Sequence, residues 1–149
     1  MRFAEYKNHQ DSLGLLFWQV SMLWQRRIRQ ALQPFGITHT QFVILAVLEE
    51  LSEQGGCVTQ KRIADFSMID VMTVSSCVRL LEKKGLIGRT AYAADSRANS
   101  LSSTETGREC LRQAVLAVEN VDDMFFFAET KDNDRLLREM GELLNKNLP

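Results

Sequence analysis

Apolar side chains recur at steps of three and four residues along most of the chain, which is the spacing of one face of an α-helix. The first such stripe consists of Leu13, Phe17, Val20, Trp24, Ile28 and Ala31. A second stripe on the same predicted helix consists of Leu15, Trp18 and Met22. A helix that is apolar on two sides needs two partners, and the second partner can be another subunit. Pro34 and Gly36 predict the end of this helix.

The next segments predict three shorter helices with recognisable starts. Thr38 and Gln41 have the spacing of a capping box, which predicts a second helix that runs to about Leu51. Thr59 is the expected N-cap of a third helix, whose inward side chains are Ile63, Ala64 and Phe66. Asp70 is expected to cap a fourth helix, whose buried face consists of Val74, Cys77, Val78 and Leu81.

The second half of the chain predicts two strands and two long helices. Residues 86–92 and 97–102 predict the strands, and Gly85 before them suits a left-handed helix end. Thr104 and Thr130 are the expected caps of the last two helices. With a short strand between the second and third helices, the predicted order is α-α-β-α-α-β-β-α-α.

This order predicts a mainly α fold, and we expect one domain over residues 1–149. The short helices and the hairpin, about residues 38–103, would form a winged helix-turn-helix lobe. The long helices, about residues 12–33 and 104–147, would form arms beside it.

Composition excludes several other classes of protein. The chain has 149 residues, of which 45% are hydrophobic and 25% charged, as in an ordinary folded domain. The longest apolar run, Phe42 to Leu48, is far shorter than the roughly 20 residues of a membrane span. The N-terminus has no apolar signal core, so we expect a cytoplasmic protein with no membrane partner. Three cysteines without a CxxC pair predict neither a disulfide framework nor a zinc site, and we expect no cofactor or metal.

The distribution of charge along the chain is more informative about binding partners than the net charge of −1. Residues 57–97 contain seven Lys or Arg and four Asp or Glu, a net charge of +3. The rest of the chain contains 11 basic and 15 acidic residues, a net charge of −4. The middle of the chain is therefore a positive block on an acidic body, as expected of a nucleic-acid-binding segment.

Two short helices followed by a hairpin form the pattern whose second helix can enter the major groove of DNA. The outward face of that helix needs short polar groups for close approach and cations for phosphates. The predicted contacts on it are Met72, Thr73, Ser75, Ser76, Arg79 and Lys83. Arg89 is a further candidate for a phosphate, and Arg97 at the hairpin tip could enter the minor groove. The same pattern also fits a protein-interaction or adaptor module that binds no DNA.

Several segments together resemble the MarR family of bacterial regulators. They are Thr59–Ala64, Asp70, Thr73–Ser75, the LEKKGLI run of Leu81–Ile87, the DSRA run of Asp95–Ala98, Leu101 and Ser103–Gly107. The resemblance covers about residues 12–147. It implies a homodimer whose helical dimerisation arms are the first, fifth and sixth helices, about residues 12–33 and 104–147. It also implies a winged helix-turn-helix DNA-binding lobe on each subunit, about residues 38–103, and repression of nearby genes. In the wing it implies that Asp95 orients Arg97 toward the minor groove.

The resemblance also implies a pseudo-palindromic operator in double-stranded DNA, with half-sites ~34 Å apart. Many family members are released by a phenolic or other lipophilic effector, and some by thiol oxidation. Trp18, Trp24 and His39 are our candidates to line such an effector cavity, with core or dimer packing as the alternative. The sequence departs from the family at Val71 and Ser76, where members often carry Arg or Lys, and at Met68, where many have Gly.

Two further alternatives remain. Cys77 on the fourth helix could make the chain a thiol-redox-responsive regulator. An enzyme is disfavoured because neither histidine lies within a catalytic-triad or metal-ligand spacing, and no paired carboxylates or Gly-rich phosphate loop occur. We therefore expect a DNA-binding transcriptional regulator without catalysis.

Overall fold

The computed structural model describes residues 12–91, 99–127 and 133–149. Its helices are α1 (Leu13–Leu32), α2 (His39–Gln54), α3 (Gln60–Ser67), α4 (Val71–Lys83), α5 (Glu105–Phe127) and α6 (Asn133–Asn147). A 3-10 turn over Gln33–Phe35 extends α1. Strands β1 (Ile87–Ala91) and β2 (Asn99–Ser103) form an antiparallel pair in which Arg89 lies opposite Leu101. The predicted mainly α, winged helix-turn-helix fold is confirmed.

The short strand predicted between α2 and α3 is not formed. Instead, the carbonyl of Val58 accepts a single 2.8 Å hydrogen bond from the N–H of Leu101 in β2. Gly55 and Gly56 both have positive φ angles, 87° and 83°, and turn the chain sharply. Because Thr59 already caps α3, too few extended residues remain for a paired strand.

The predicted starts of α2, α3 and α4 are correct, whereas Thr130, the predicted cap of the last helix, lies outside the described residues. Thr38 and Gln41 form both hydrogen bonds of a capping box. The Thr59 hydroxyl accepts from the N–H of Arg62, 3.2 Å away. The carboxylate of Asp70 caps α4. Caps of this kind each contribute about 1 kcal/mol, and here they fix where α2, α3 and α4 begin.

One core joins the second half of α1 with α2, α3, α4, the sheet and α5. Its most completely buried side chains are Ile28, Leu32, Ile44, Leu45, Leu48, Ile63, Val74, Val78, Leu81 and Leu101. The prediction that Phe66 faces inward is wrong, since its side chain is 53% exposed. At about 100° per residue, Phe66 points well away from the direction that Ile63 and Ala64 share.

Gly107 allows α5 to lie against the chain between α4 and β1. The Thr104 hydroxyl accepts from the N–H of Gly107 at 3.0 Å, and the N–H of Thr104 donates to the Leu86 carbonyl, also at 3.0 Å. A Cβ atom on residue 107 would overlap the Leu86 carbonyl oxygen. The absence of a side chain at this position therefore sets how closely the segment between α4 and β1 approaches α5.

Large apolar side chains remain exposed on the first half of α1 and on α6. On α1 they are Leu13, Leu15, Leu16, Phe17, Trp18, Val20, Met22 and Leu23, and on α6 they are Leu136, Leu137, Met140, Leu143 and Leu144. We call these residues together the arm surface. Helix α6 makes at most marginal contacts with the other described elements of its own chain.

Within the described ranges, no single helix is long and apolar enough to cross a membrane. Helix α1 with its 3-10 extension reaches that composition only together with α2, across a bend of 77°.

Candidate nucleic-acid interface

A row of exposed side chains runs along the outer face of α4. Met72, Ser76, Arg79 and Lys83 follow one another at steps of four, three and four residues, which places them on one helix face. All are exposed, whereas Val74, Val78 and Leu81 on the opposite face are buried. We call these four residues the recognition stripe. It extends ~16 Å along the helix, at 1.5 Å per residue.

The other predicted contacts of α4 flank this stripe. Ser75 lies on one side of it and Thr73 on the other, and both are partly buried. The structure therefore gathers the predicted contacts of α4 on the exposed part of one short helix, with small polar groups beside the central row.

Thr73 is held in place by the cap of α4. Its backbone N–H donates to Oδ1 of Asp70 at 2.9 Å, and its hydroxyl donates to Oδ2 at 2.6 Å. These hydrogen bonds stabilise the carboxylate and lower the pKa of Asp70. Because the hydroxyl hydrogen of Thr73 is already engaged with Asp70, the hydroxyl oxygen can only accept hydrogen bonds from a ligand.

The cations near α4 fall into two groups. Arg89 donates from Nε to Oε1 of Glu82 at 2.7 Å, and both side chains are 31% exposed. Arg79 and Lys83 form no ion pair with a carboxylate of the described residues and point from the stripe toward solvent. Arg79 and Lys83 are therefore better placed than Arg89 to meet phosphates.

Lys84 anchors the C-terminal end of α4 to the start of α2. Its Nζ donates to the Gly36 carbonyl at 2.6 Å and to Oε1 of Gln41 at 2.9 Å. Gln41 is itself part of the α2 capping box, so this contact joins three chain segments. Nothing in the local sequence pattern around Lys84 pointed to this internal anchor.

Asp95 and Arg97, the predicted wing contacts, lie outside the described residues. Their interaction with the minor groove stays a prediction. The described part of the hairpin ends at Ala91 and resumes at Asn99.

Of the three effector candidates, the structure brings Trp24 and His39 together. Their ring centroids are 5.1 Å apart in an edge-to-face arrangement. The indole N–H of Trp24 donates to Oδ1 of Asp122 at 2.7 Å, which joins α1 to α5 beside the start of α2. Trp18 lies in the first half of α1, on another side of the helix, and its side chain is 62% exposed. It belongs to the arm surface instead.

A groove of about 310 Å³ is formed by the end of α1 and the segment before α2, which directly precedes His39 in the sequence. It is lined by Arg29, Gln33, Gly36, Ile37 and Thr38. Sequence reasoning missed both Arg29 and Asp122. Asp122 is 98 residues from Trp24, so no local pattern could reveal their contact.

His39 makes stability depend on pH in a defined direction. Burial lowers its pKa from 6.5, the nearby Arg29 lowers it further, and Asp122 acts in the opposite sense. Below pH 6.5 the unfolded chain therefore binds more protons at this histidine than the folded chain, so stability falls as the pH decreases through that range.

We expect His39→Gln to reduce this loss of stability in acid. The check is urea unfolding of both proteins at about pH 7.5 and about pH 5.5, on either side of the ordinary histidine pKa. An identical decrease in the free energy of unfolding for both proteins would contradict the assignment to His39.

Among the described residues, no group of three or more His, Cys, Asp or Glu side chains is arranged to hold a metal ion.

Comparisons with known proteins agree with this geometry. The model of the MarR family matches residues 37–98. The chain is 40% identical over 141 residues to YdcH of Bacillus subtilis, an uncharacterized HTH-type transcriptional regulator, and the match covers 95% of each chain.

Solved structures share the fold across nearly the whole chain. CouR of Rhodococcus jostii bound to p-coumaroyl-CoA has a TM-score of 0.79 at 25% identity, and the match covers 93% of this chain and 92% of CouR. MepR of S. aureus in complex with DNA has a TM-score of 0.81 at 22% identity, with 95% and 100% covered. At that lower identity the likeness to MepR concerns the fold alone.

Proposed function

The chain belongs to the MarR family of transcriptional regulators, and from that premise we propose that it is a homodimeric repressor. In this proposal each subunit inserts α4 into the major groove of a pseudo-palindromic operator. The single observation that carries the proposal is the recognition stripe, an exposed row of side chains that includes two cations, on a helix whose opposite face is buried.

The chemistry of the stripe suits a DNA groove. An α-helix fits the width of the major groove, and the small side chain of Ser76 permits close approach to base edges. Arg79 and Lys83 can neutralise phosphates or donate to guanine. In the same proposal Thr73 accepts hydrogen bonds from DNA on one side of the stripe, and Ser75 accepts or donates them on the other. Arg89 lies near the DNA backbone, and Asp95 orients Arg97 in the wing.

The arm surface supports the proposed dimer. Monomeric proteins rarely expose large contiguous apolar patches. Here the first half of α1 and most of α6 carry such side chains, and α6 makes little contact with its own chain. A second copy would cover both helices and bring two α4 helices into a symmetric pair.

Phe17→Ala is expected to weaken the dimer by about 2 kcal/mol, a ~30-fold increase in its dissociation constant, because an aromatic anchor at an interface is lost. Sedimentation equilibrium measures this constant. Phe66→Ala is the matched control, since Phe66 is 53% exposed against 62% for Phe17 but lies outside the arm surface. Equal dissociation constants for the two variants, or a monomeric native protein at micromolar concentration, would contradict the proposed dimer surface.

We further propose that a small aromatic or lipophilic effector releases the DNA. CouR, which is 25% identical, is bound to p-coumaroyl-CoA in its structure. The aromatic pair Trp24 and His39, with Arg29 in the adjoining groove, offers this chain a ring-stacking surface and a cation for an acidic group. Since Trp18 lies apart from this pair, we assign it to dimer packing.

The Lys84 anchor offers a physical route from that groove to the DNA. Gly36 lines the groove, and its carbonyl accepts the hydrogen bond from Lys84 at the end of α4. An effector that moves Gly36 would therefore move the C-terminal end of α4. Such a ligand shifts the equilibrium only by the difference between its affinities for the two arrangements.

Selection from random double-stranded DNA tests the proposed function. We expect enrichment of an inverted repeat whose half-sites are ~34 Å apart, about one turn of DNA, and whose binding weakens steeply with salt. A winged-helix adaptor that binds no DNA would enrich no sequence, and that result would overturn the proposal.

Thiol-redox regulation is the weaker alternative. Burial raises the pKa of the Cys77 and Cys110 thiols, so both stay protonated and react slowly with oxidants.

We propose regulation without catalysis, in the cytoplasm, because a bacterial regulator meets its operator there.

A further inference from the structure

The N-terminal end of the recognition stripe is apolar, in contrast to its cationic C-terminal end. The Met72 side chain is 82% exposed, and that of its neighbour Val71 is 52% exposed. Both lie in the first turn of α4. The exposed Met72 on this face and the exposed Val71 at its side contribute nothing to phosphate binding, so the proposed function alone leaves their presence unexplained.

The first turn also lacks a side-chain hydrogen-bond donor. Thr73 donates its hydroxyl proton to Asp70, and the carboxylate of Asp70 only accepts. Side-chain reading of a guanine in the major groove requires donors to its O6 and N7 atoms, which the side chains of this turn do not supply. The apolar feature of the major groove is the C5-methyl group of thymine, which apolar side chains contact.

We propose that the first turn of α4 reads thymine methyl groups, with Met72 as the principal contact and Val71 beside it. This inference rests on the proposed function and specifies the operator: each half-site carries thymine where the start of α4 enters the groove. The donors Arg79 and Lys83 then lie ~10–16 Å farther along the helix, over neighbouring bases and phosphates.

Charge argues for DNA as the occupant of this surface and against an apolar protein. Met72 shares one helix face with Arg79 and Lys83, so whatever covers the methionine also covers two cations. An apolar partner would desolvate both charges without pairing them, which is costly. DNA offers methyl groups and phosphates within the same groove.

Substitution of deoxyuridine for thymidine isolates the methyl group, because it removes that group and leaves base pairing intact. The probe is the duplex obtained by selection, with a single thymine replaced at a time in one half-site, and affinity is measured by fluorescence anisotropy. We expect one or two positions in each half-site at which the replacement weakens binding by about fivefold, the scale of a buried methyl contact.

The Met72→Ala variant ties that effect to the side chain. Because Met72 is 82% exposed, the substitution leaves the core unchanged. At the sensitive positions this variant should bind the thymine and uracil duplexes within about twofold of each other, a loss of coupling typical of contacting groups. Lys83→Ala is the control from the same stripe, and it should weaken both duplexes while keeping the fivefold difference.

The outcomes separate the two proposals. Tight binding of the selected duplex with no effect of uracil at any position would overturn the methyl inference and leave the proposed function intact. A uracil effect that persists unchanged in Met72→Ala would also overturn the assignment to this residue. Failure to select any duplex would overturn the proposed function, and the methyl inference with it.

Discussion

Simultaneous replacement of Arg79 and Lys83 by alanine is expected to weaken operator binding by about 10²- to 10³-fold. Both side chains are exposed on the recognition stripe and form no ion pair with a carboxylate of the described residues. Each can therefore give its full charge to a phosphate or a base edge, a contact that typically contributes about 1–3 kcal/mol.

The salt dependence of operator binding by the same variant distinguishes phosphate contacts from base contacts. A cation that neutralises a phosphate releases a counterion, so its loss from both subunits of the dimer reduces the slope of log affinity against log salt by about 2. Loss of a base contact changes sequence preference with little effect on that slope. Fluorescence anisotropy at several salt concentrations, with native and single-variant proteins, distinguishes these contributions.

A second double variant tests whether the loss of two positive charges is enough by itself to weaken operator binding. Arg112→Ala combined with Lys146→Ala removes two positive charges from α5 and α6, away from the stripe. We expect its operator affinity to stay within about threefold of the native protein, since distant exposed charges are largely screened. Equal losses in the two double variants would mean that bulk charge, and not the stripe, carries the binding.

Gly107→Ala is expected to lower the free energy of unfolding by about 3 kcal/mol or more, or to prevent folding. The added Cβ would overlap the Leu86 carbonyl oxygen, and neither backbone segment is free to move away. Thr104 bonds to Leu86 on one side and caps α5 on the other, which holds the two segments together. Overpacking against the backbone is therefore more costly here than at a flexible side chain.

Gly88→Ala is the matched control for that substitution. Gly88 lies two residues after Leu86 in β1, and nothing lies within 4 Å of a Cβ built at this position. We expect a change of about 1 kcal/mol or less in either direction. Urea unfolding measures both variants, and equal stability for Gly107→Ala and the native protein would show that the close approach to Leu86 is not needed.

Elements with local signals were predictable from the sequence. The starts of α2, α3 and α4 rest on Thr38, Thr59 and Asp70, each of which bonds to a backbone N–H three residues later. Such contacts depend on residue type and spacing alone. The stripe on α4 was predictable for the same reason, because helical periodicity decides which side chains face outward.

Contacts between distant segments could not be predicted in this way. The hydrogen bond from Trp24 to Asp122, and the anchor of Lys84 on Gly36, depend on how the helices pack. The position of Phe66 was wrong because an eight-residue helix has too few apolar side chains to define its buried face. The strand expected before α3 is reduced to one hydrogen bond between Val58 and Leu101, because too few extended residues remain between the glycine turn and the start of α3.

Hydroxyl-radical footprinting of the dimer on the selected duplex tests most directly whether two α4 helices bind DNA as a symmetric pair. We expect two protected patches on one face of the duplex, about one helical turn (~34 Å) apart and related by two-fold symmetry. The double variant at Arg79 and Lys83 should lose both patches while remaining dimeric. A single protected patch, or unchanged protection in that variant, would contradict the proposed mode of binding.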